Sequence, residues 1–282
     1  MPPPVPQQQI AVCLDDFGLH PGVNQAALQL ANLGRITAIS CMVGGPAWTA
    51  GAARLAELPR DRVDVGLHLD FTEHTIDATA RRRLPVLIAL AQTRRLDPAL
   101  IRREILAQLD AFEQAVGRIP AHVDGHQHVH QFPVIRETLI AVLLERYPRE
   151  RPWLRRTRRP AGLAGFKPWL IERLGCEALS ESARAHGFAQ NESLLGVYGF
   201  DGDASRYADR LAHWLAIASE ADLLMCHAGG DATVPDPIIG ARRNEWQVLA
   251  GPAFGDLLAR SGVALAPLSR LRPRASTWND RA

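Results

Sequence analysis

Short runs of β-branched and apolar residues alternate along the chain with longer stretches whose apolar residues recur at helical spacing. Residues 10–14, 36–43, 63–69, 121–124, 153–155, 194–198, 223–226 and 263–266 read as strands. Helices are predicted over 21–33, 47–57, 98–116, 133–147, 168–186, 204–219 and 244–260. Pro21, Pro98, Pro133 and Pro168 mark helix starts, since a missing amide proton costs nothing in the first turn. Strand and helix alternate with no Gly- and Ser-rich linker between them, which predicts one α/β domain built on a parallel sheet, open or closed into a barrel. Two segments, 70–93 and 229–243, interrupt the alternation, each following a strand that carries a histidine near its end. Barrel enzymes put their functional loops at such places.

Composition narrows the classes. The 282 residues are 47% hydrophobic and 22% charged, enough apolar material for a substantial core. Thirty-two basic against 30 acidic side chains leave a net charge of +2, which excludes an overall electrostatic nucleic-acid binder. No apolar run has the length of a membrane span, and the first residues carry neither the charged nor the apolar region of a secretory signal, so the expected setting is cytoplasmic and membrane-free. Cys13, Cys41, Cys176 and Cys226 are widely spaced, and buried reduced thiols are expected rather than disulfides or a zinc knuckle.

Candidate chemistry gathers at strand ends. Asp15 and Asp16 are adjacent carboxylates after the first strand; a metal or other cation would relieve their repulsion, and a helix cap is the plainer reading. His68 stands among apolar residues of the third strand, where a hydrogen-bonded core histidine and a metal ligand are both open. Four of the ten histidines, His122, His126, His128 and His130, fall within nine residues around Asp124. In extended geometry these five side chains share a face until Gly125 permits a turn, and not all of them can bind one ion. His227 ends the strand 223–226 and precedes two glycines at 229 and 230. An arginine-rich stretch, 146–159 with Trp153 inside it, reads as a solvated connection or as a polyanion-binding surface. Arg242 and Glu245 read locally as a helix start with a salt bridge.

The strings DDFGLHPGVNQA (15–26), GLHLDFTE (66–73), HVDGHQHVHQFP (122–133), LLMCHAGG (223–230) and DPIIGARRNEWQVL (236–249) change this reading when taken together. They resemble the YdjC-like carbohydrate deacetylase family, over nearly the whole chain. The resemblance implies a TIM-like, somewhat irregular (β/α) barrel, here a single domain over 10–270 with a flexible amino terminus (1–9) and a carboxy-terminal tail (271–282). It implies one divalent metal ion, Mg2+ or Zn2+, and removal of an N-acetyl group from an amino sugar, in a small chitooligosaccharide-like glycan or a glycoconjugate. By the same resemblance Asp16, His68 and His126 are metal ligands, Asp15 the general base and His227 the general acid. Arg242 would orient a catalytic carboxylate, while Asp124, His128 and His130 would support the ligands or touch substrate. The chain departs from the family in having His227-Ala228-Gly229 where His-Pro-Gly is common. Two other readings compete: a different metal-dependent hydrolase, of another amide or a phosphoester, on the same barrel, and a non-enzymatic polyanion binder using residues 146–159. The apolar outer helices also permit a homodimer.

Overall fold

The computed structural model describes residues 8–232 and 234–271; most of the two expected tails, 1–9 and 271–282, lies outside them. Eight strands occupy the eight predicted runs: β1 (Gln8–Phe17), β2 (Ala38–Cys41), β3 (Asp64–Leu69), β4 (His122–Gly125), β5 (Trp153–Leu154), β6 (Leu194–Leu195), β7 (Leu223–Cys226) and β8 (Val263–Leu265). All pair in parallel, in the order β5-β4-β3-β2-β1-β7-β6, with β8 added to β1. Helical crossovers between successive strands enforce that parallel arrangement. A bridge between Leu154 and Gln190 and a 2.7 Å bond from Leu194 N to Arg158 O join the β5–β6 seam. The sheet is thereby curled into an irregular, TIM-like (β/α) barrel. Ile10 O accepts from Ala266 N and Val12 O from Thr37 N, so β8 borders the first residues of the β1 edge that β2 takes over further along.

Strand alternation decides which side chains enter the barrel. Ile10, Val12 and Leu14 of β1, with Val65, Leu67 and Leu69 of β3, pack outward into the core shared with the helices. Ala11, Cys13, Ala38, Trp153, Leu223 and Met225 pack together as the interior cluster. Asp64 closes the lower end, accepting from Trp153 Nε1 at 3.0 Å and from Ser269 N at 3.0 Å. The interior cluster stops after one short layer. Two residues further along, the same alternation delivers Asp15, Ser40, Arg155 and His227, and on the neighbouring strands His68 and Asp124. The upper barrel is therefore polar because the strands change composition without changing phase.

Helix ends differ from expectation where the backbone forces a break. The predicted helix 168–186 is two helices, Phe166–Arg173 and Cys176–Ala185. Gly175 between them has φ 145°, and a Cβ there would lie 2.2 Å from Gln131 O. The predicted 244–260 is likewise Ile239–Ala250 and Pro252–Ser261, with Pro252 opening the second helix. The stretch 47–57 divides into Trp48–Gly51 and Ala53–Ala56, and the helix expected from Pro133 begins at Ile135. Residues 70–93, expected as a loop, contain the helix Leu84–Gln92. Among the described residues no helix is long and apolar enough to cross a membrane. All four cysteines are buried free thiols.

Candidate active site

Two adjacent residues of a regular strand point to opposite faces. Near the end of β1 the pairing with β2 is irregular between Leu14 and Phe17, and Asp16 takes a left-handed conformation with φ 70°. Aspartate tolerates that conformation better than bulkier residues do. Asp15 and Asp16 consequently both line one cavity of about 670 Å³, each 1% exposed, yet they meet different partners.

Asp15 is gripped from inside the barrel. Arg155 donates Nη1 to Oδ2 and Nη2 to Oδ1, both at 2.6 Å. The same Nη2 lies 2.5 Å from Asp124 Oδ2. Asp124 also accepts from Ser40 Oγ at 2.6 Å, and its other oxygen stands 2.7 Å from His68 Nδ1. Ser40 Oγ is 2.7 Å from His122 Nε2, whose ring stacks on Trp153 at 4.2 Å. Gly66 makes room for that ring, because a Cβ there would sit 2.4 Å from it. Burial alone would favour a neutral Asp124, but Arg155 and His68 hold its carboxyl well below the usual range. Burial pushes His122 down to about 4, so its imidazole is neutral.

These contacts correct the reading of residues 146–159 as one solvated or polyanion-binding stretch. Arg146 does pair at the surface, with Asp110 at 2.6 Å and Glu113 at 2.8 Å, and Arg159 pairs with Glu172 at 2.8 Å. Arg155 is fully buried. It lies two residues beyond inward-facing Trp153, and that parity is the sequence signal its arginine neighbours masked.

Asp16 is held from the other side. Its Oδ2 accepts from Arg242 Nη2 at 2.7 Å, and Arg242 Nε donates to Asp236 Oδ2 at 2.6 Å. His20 Nε2 lies 3.2 Å from the same Asp236 oxygen. The Arg242–Glu245 salt bridge expected from the sequence is not made among the described residues: Arg242 braces Asp16, while Glu245 accepts from Tyr198 Oη at 2.6 Å and from His227 N. Arg242 thus steadies the second aspartate and Arg155 the first.

Asp16 Oδ1 is 3.4 Å from His68 Nε2 and 3.1 Å from His126 Nδ1. One ligand atom from each of Asp16, His68 and His126 lies within 4.8 Å of the others. Asp124 accepts the proton of His68 Nδ1, so that Nε2, which faces Asp16, would be the ligand atom for a bound ion. Burial would depress both imidazoles, yet Asp124 and Asp15 bring His68 up to about 9, and Asp16 raises His126 well above the usual value. A cluster that draws protons onto both rings is short of positive charge, and a divalent ion would supply it through the same lone pairs. One carboxylate and two imidazoles beside a cavity suit such an ion. Cys13, His122 and Asp124, or Asp15, His68 and Asp124, also converge, but the Arg155 guanidinium already bonds Asp15 and Asp124 and lies 3.2 Å from Cys13 Sγ.

The histidine-rich segment turns sooner than extended geometry allows. After Gly125 the chain forms a tight 3₁₀ turn over His126–Gln131, with Gln127 at φ 53° and His128 at φ 61°. His126 therefore reaches the ligand cluster, His128 lines the cavity, and His130 turns away to donate Nε2–H to Arg155 O at 3.0 Å. Burial pushes His130 down to about 4 and His128 well below its usual value. Sequence reasoning also missed Asp70, whose carboxylate accepts the amides of Thr72 and Glu73 and so folds the loop that brings Glu73 Oε1 to 3.3 Å from His126 Nε2.

His227 faces the same cavity and packs edge-on against Phe200 at 5.0 Å. Burial pushes it down to about 4, with Arg242 adding to the effect and Asp16 and Asp15 opposing it. Behind it, burial raises Glu245 to about 7 although Tyr198 and the His227 amide favour its ionised form.

The profile of the family described as YdjC-like protein matches residues 9–260. A human protein described as carbohydrate deacetylase is 30% identical, covering 94% of this chain and 92% of its own length. A mouse protein of the same description is 31% identical, covering 94% and 96%. A solved structure from Enterococcus faecalis, of a protein to which cleavage of cellobiose phosphate has been ascribed, superposes with a TM-score of 0.69 at 16% identity, covering 95% of this chain and 100% of its own; at that identity the likeness speaks for the fold. By the match along 9–260 and these relatives, the chain belongs to the YdjC-like protein family.

Proposed function

We propose that this protein hydrolyses the N-acetyl group of an acetylated amino sugar, using one divalent ion held by Asp16, His68 and His126. The observation that carries the reading is the convergence of those three donors beside Asp15 in a single cavity. The carbohydrate deacetylase descriptions of the human and mouse relatives support the substrate class. When bound, zinc or magnesium would polarise the amide carbonyl and acidify a water, chemistry that neither reactant reaches alone at neutral pH.

The chain's own residues divide the remaining work. Asp15 accepts the proton of the attacking water; the Arg155 fork fixes the carboxylate plane, and Oδ2 keeps a further lone pair while Oδ1 also accepts from Cys13 Sγ at 3.5 Å. Arg242 and Asp236 hold Asp16 in orientation. His227 is neutral at rest. As the amide is attacked and negative charge builds beside it, the imidazole takes up a proton from solvent and passes it to the leaving amine, while Asp15 returns the water's proton to solvent. Glu245 and Phe200 set the position of His227. The four free buried thiols support a reducing, cytoplasmic setting.

The test is metal analysis of the purified protein joined to an acetate-release assay over a panel of N-acetylated sugars. Metal content near one ion per chain with acetate release is expected. A metal-free double variant, His68→Ala with His126→Ala, that kept full activity would overturn the reading.

A further inference from the structure

The cavity that holds the reactive cluster has a second, chemically different part. Leu84 and Ile88 of the helix Leu84–Gln92, and Leu170, Ile171 and Leu174 at the helix Phe166–Arg173, all line it. These two helices adjoin where Gln92 Nε2 donates to Leu174 O at 3.4 Å. Apart from Lys167, whose ammonium is engaged by Tyr198 O, the side chains of these helices that line the cavity are apolar, and Leu84–Gln92 carries no charged residue along its length. A second sugar ring laid against this wall would strand its hydroxyls, each costing about 1–3 kcal/mol unpaired.

The apolar surface also continues outward. Leu170 is 39% exposed, Trp169 42% and Phe166 72%, on the helix whose inner side lines the cavity, and Val86 on the other helix is 47% exposed. Lys167 ties this helix across to the loop carrying Phe200, donating to Tyr198 O at 2.6 Å with its ammonium 4.4 Å from the Phe200 ring. That strap holds the apolar helix at the cavity mouth. An apolar wall inside the cavity, with further apolar side chains exposed on the same two helices, suits one long hydrocarbon group rather than a compact polar one.

We infer that the substrate is an N-acetylated amino sugar carried on a lipid-like aglycone, whose hydrocarbon lies along the Leu84, Ile88, Leu170 and Leu174 wall. The inference rests on the deacetylase reading above and names its substrate class. The same wall chemistry could accept a long N-acyl chain, and the test separates the two.

The metal-loaded enzyme is assayed with methyl and octyl glycosides of N-acetylglucosamine below micellar concentration, with diacetylchitobiose, and with N-octanoylglucosamine. The octyl glycoside is expected to exceed both the methyl glycoside and diacetylchitobiose in kcat/KM by at least about 10-fold, from burial of its methylenes. Ile88→Asn and Leu170→Asn should each pull the octyl-to-methyl ratio toward one. Equal rates for the two glycosides, a preference for diacetylchitobiose, a preference for N-octanoylglucosamine, or a ratio unmoved in both variants would overturn the inference. Absence of turnover on every substrate would instead sink the deacetylase reading. Calorimetric binding of the octyl against the methyl glycoside then decides the apolar wall on its own, and equal affinities would reject it.

Discussion

Asp15 and Asp16 are neighbours in the chain and belong to different regions of the molecule. Asp15 joins the barrel interior, where Arg155 and Asp124 knit β1, β3 and β4 into a closed charge network. Asp16 joins the mouth, where Arg242 and Asp236 come from the late segment before and within Ile239–Ala250, and where two imidazoles approach. Residue type is the same in both places. Position relative to two arginines separates the carboxylate we propose takes a proton from the one we propose holds a cation, and a single left-handed residue accompanies that separation.

The sharpest way to break the comparison is to remove the imidazoles at the mouth. His68→Ala with His126→Ala should abolish both metal content and acetate release, measured together. Next come the two arginines. Arg155→Met leaves Asp15 and Asp124 buried without their shared cation and should cost about 3–5 kcal/mol in denaturant unfolding. Arg242→Met should instead weaken metal affinity by about 10- to 100-fold, since it removes a brace from a ligand rather than the centre of a network. If the two variants lost stability and metal affinity in equal proportion, the division between interior and mouth would be wrong.

Glu245 tests the interior from its far side. Its folded value of about 7 lies above that of an exposed glutamate, so the native state holds the proton more tightly than the unfolded chain. Stability should therefore fall as pH rises from about 4.5 to 7, by about 3 kcal/mol for this group. Glu245→Gln should flatten that slope, and matching slopes for parent and variant would rule the effect out. Asp15→Asn should keep its metal and lose about 10²-fold or more in turnover. Loss of metal in that variant would exchange the roles of the two aspartates. The smallest effect belongs to the surface: Arg146→Ala, removing partly exposed pairs with Asp110 and Glu113, should cost no more than about 1 kcal/mol.

Strand positions were legible because each strand is a compact apolar run whose pattern survives folding. His68, His126 and His227 could be read as strand-end chemistry for the same reason. The break at Gly175 is less legible, since it depends on the carbonyl of Gln131 that the chain meets in space, whereas the break at Gly251 is signalled by Pro252. A turn at Gly125 is legible in the sequence, but its left-handed course through Gln127 and His128, which parts His130 from His126, is not. Arg155 was hidden by composition: one buried cation among six other arginines of the stretch 146–159 has no distinguishing neighbour, only a parity. The helix Leu84–Gln92 is hard to see in the sequence because it lies inside a segment that interrupts the alternation of strand and helix.

The chain contains 31 arginines and a single lysine, and that lysine is the strap at the cavity mouth. Burial lowers the basicity of Lys167, which enlarges its fraction of free amine at mild pH. Apart from a chain-terminal amine, an acylating dye has one side chain to modify in the whole molecule. A fluorophore placed there would sit over the entrance and give an optical signal for occupancy, with no residue introduced or removed.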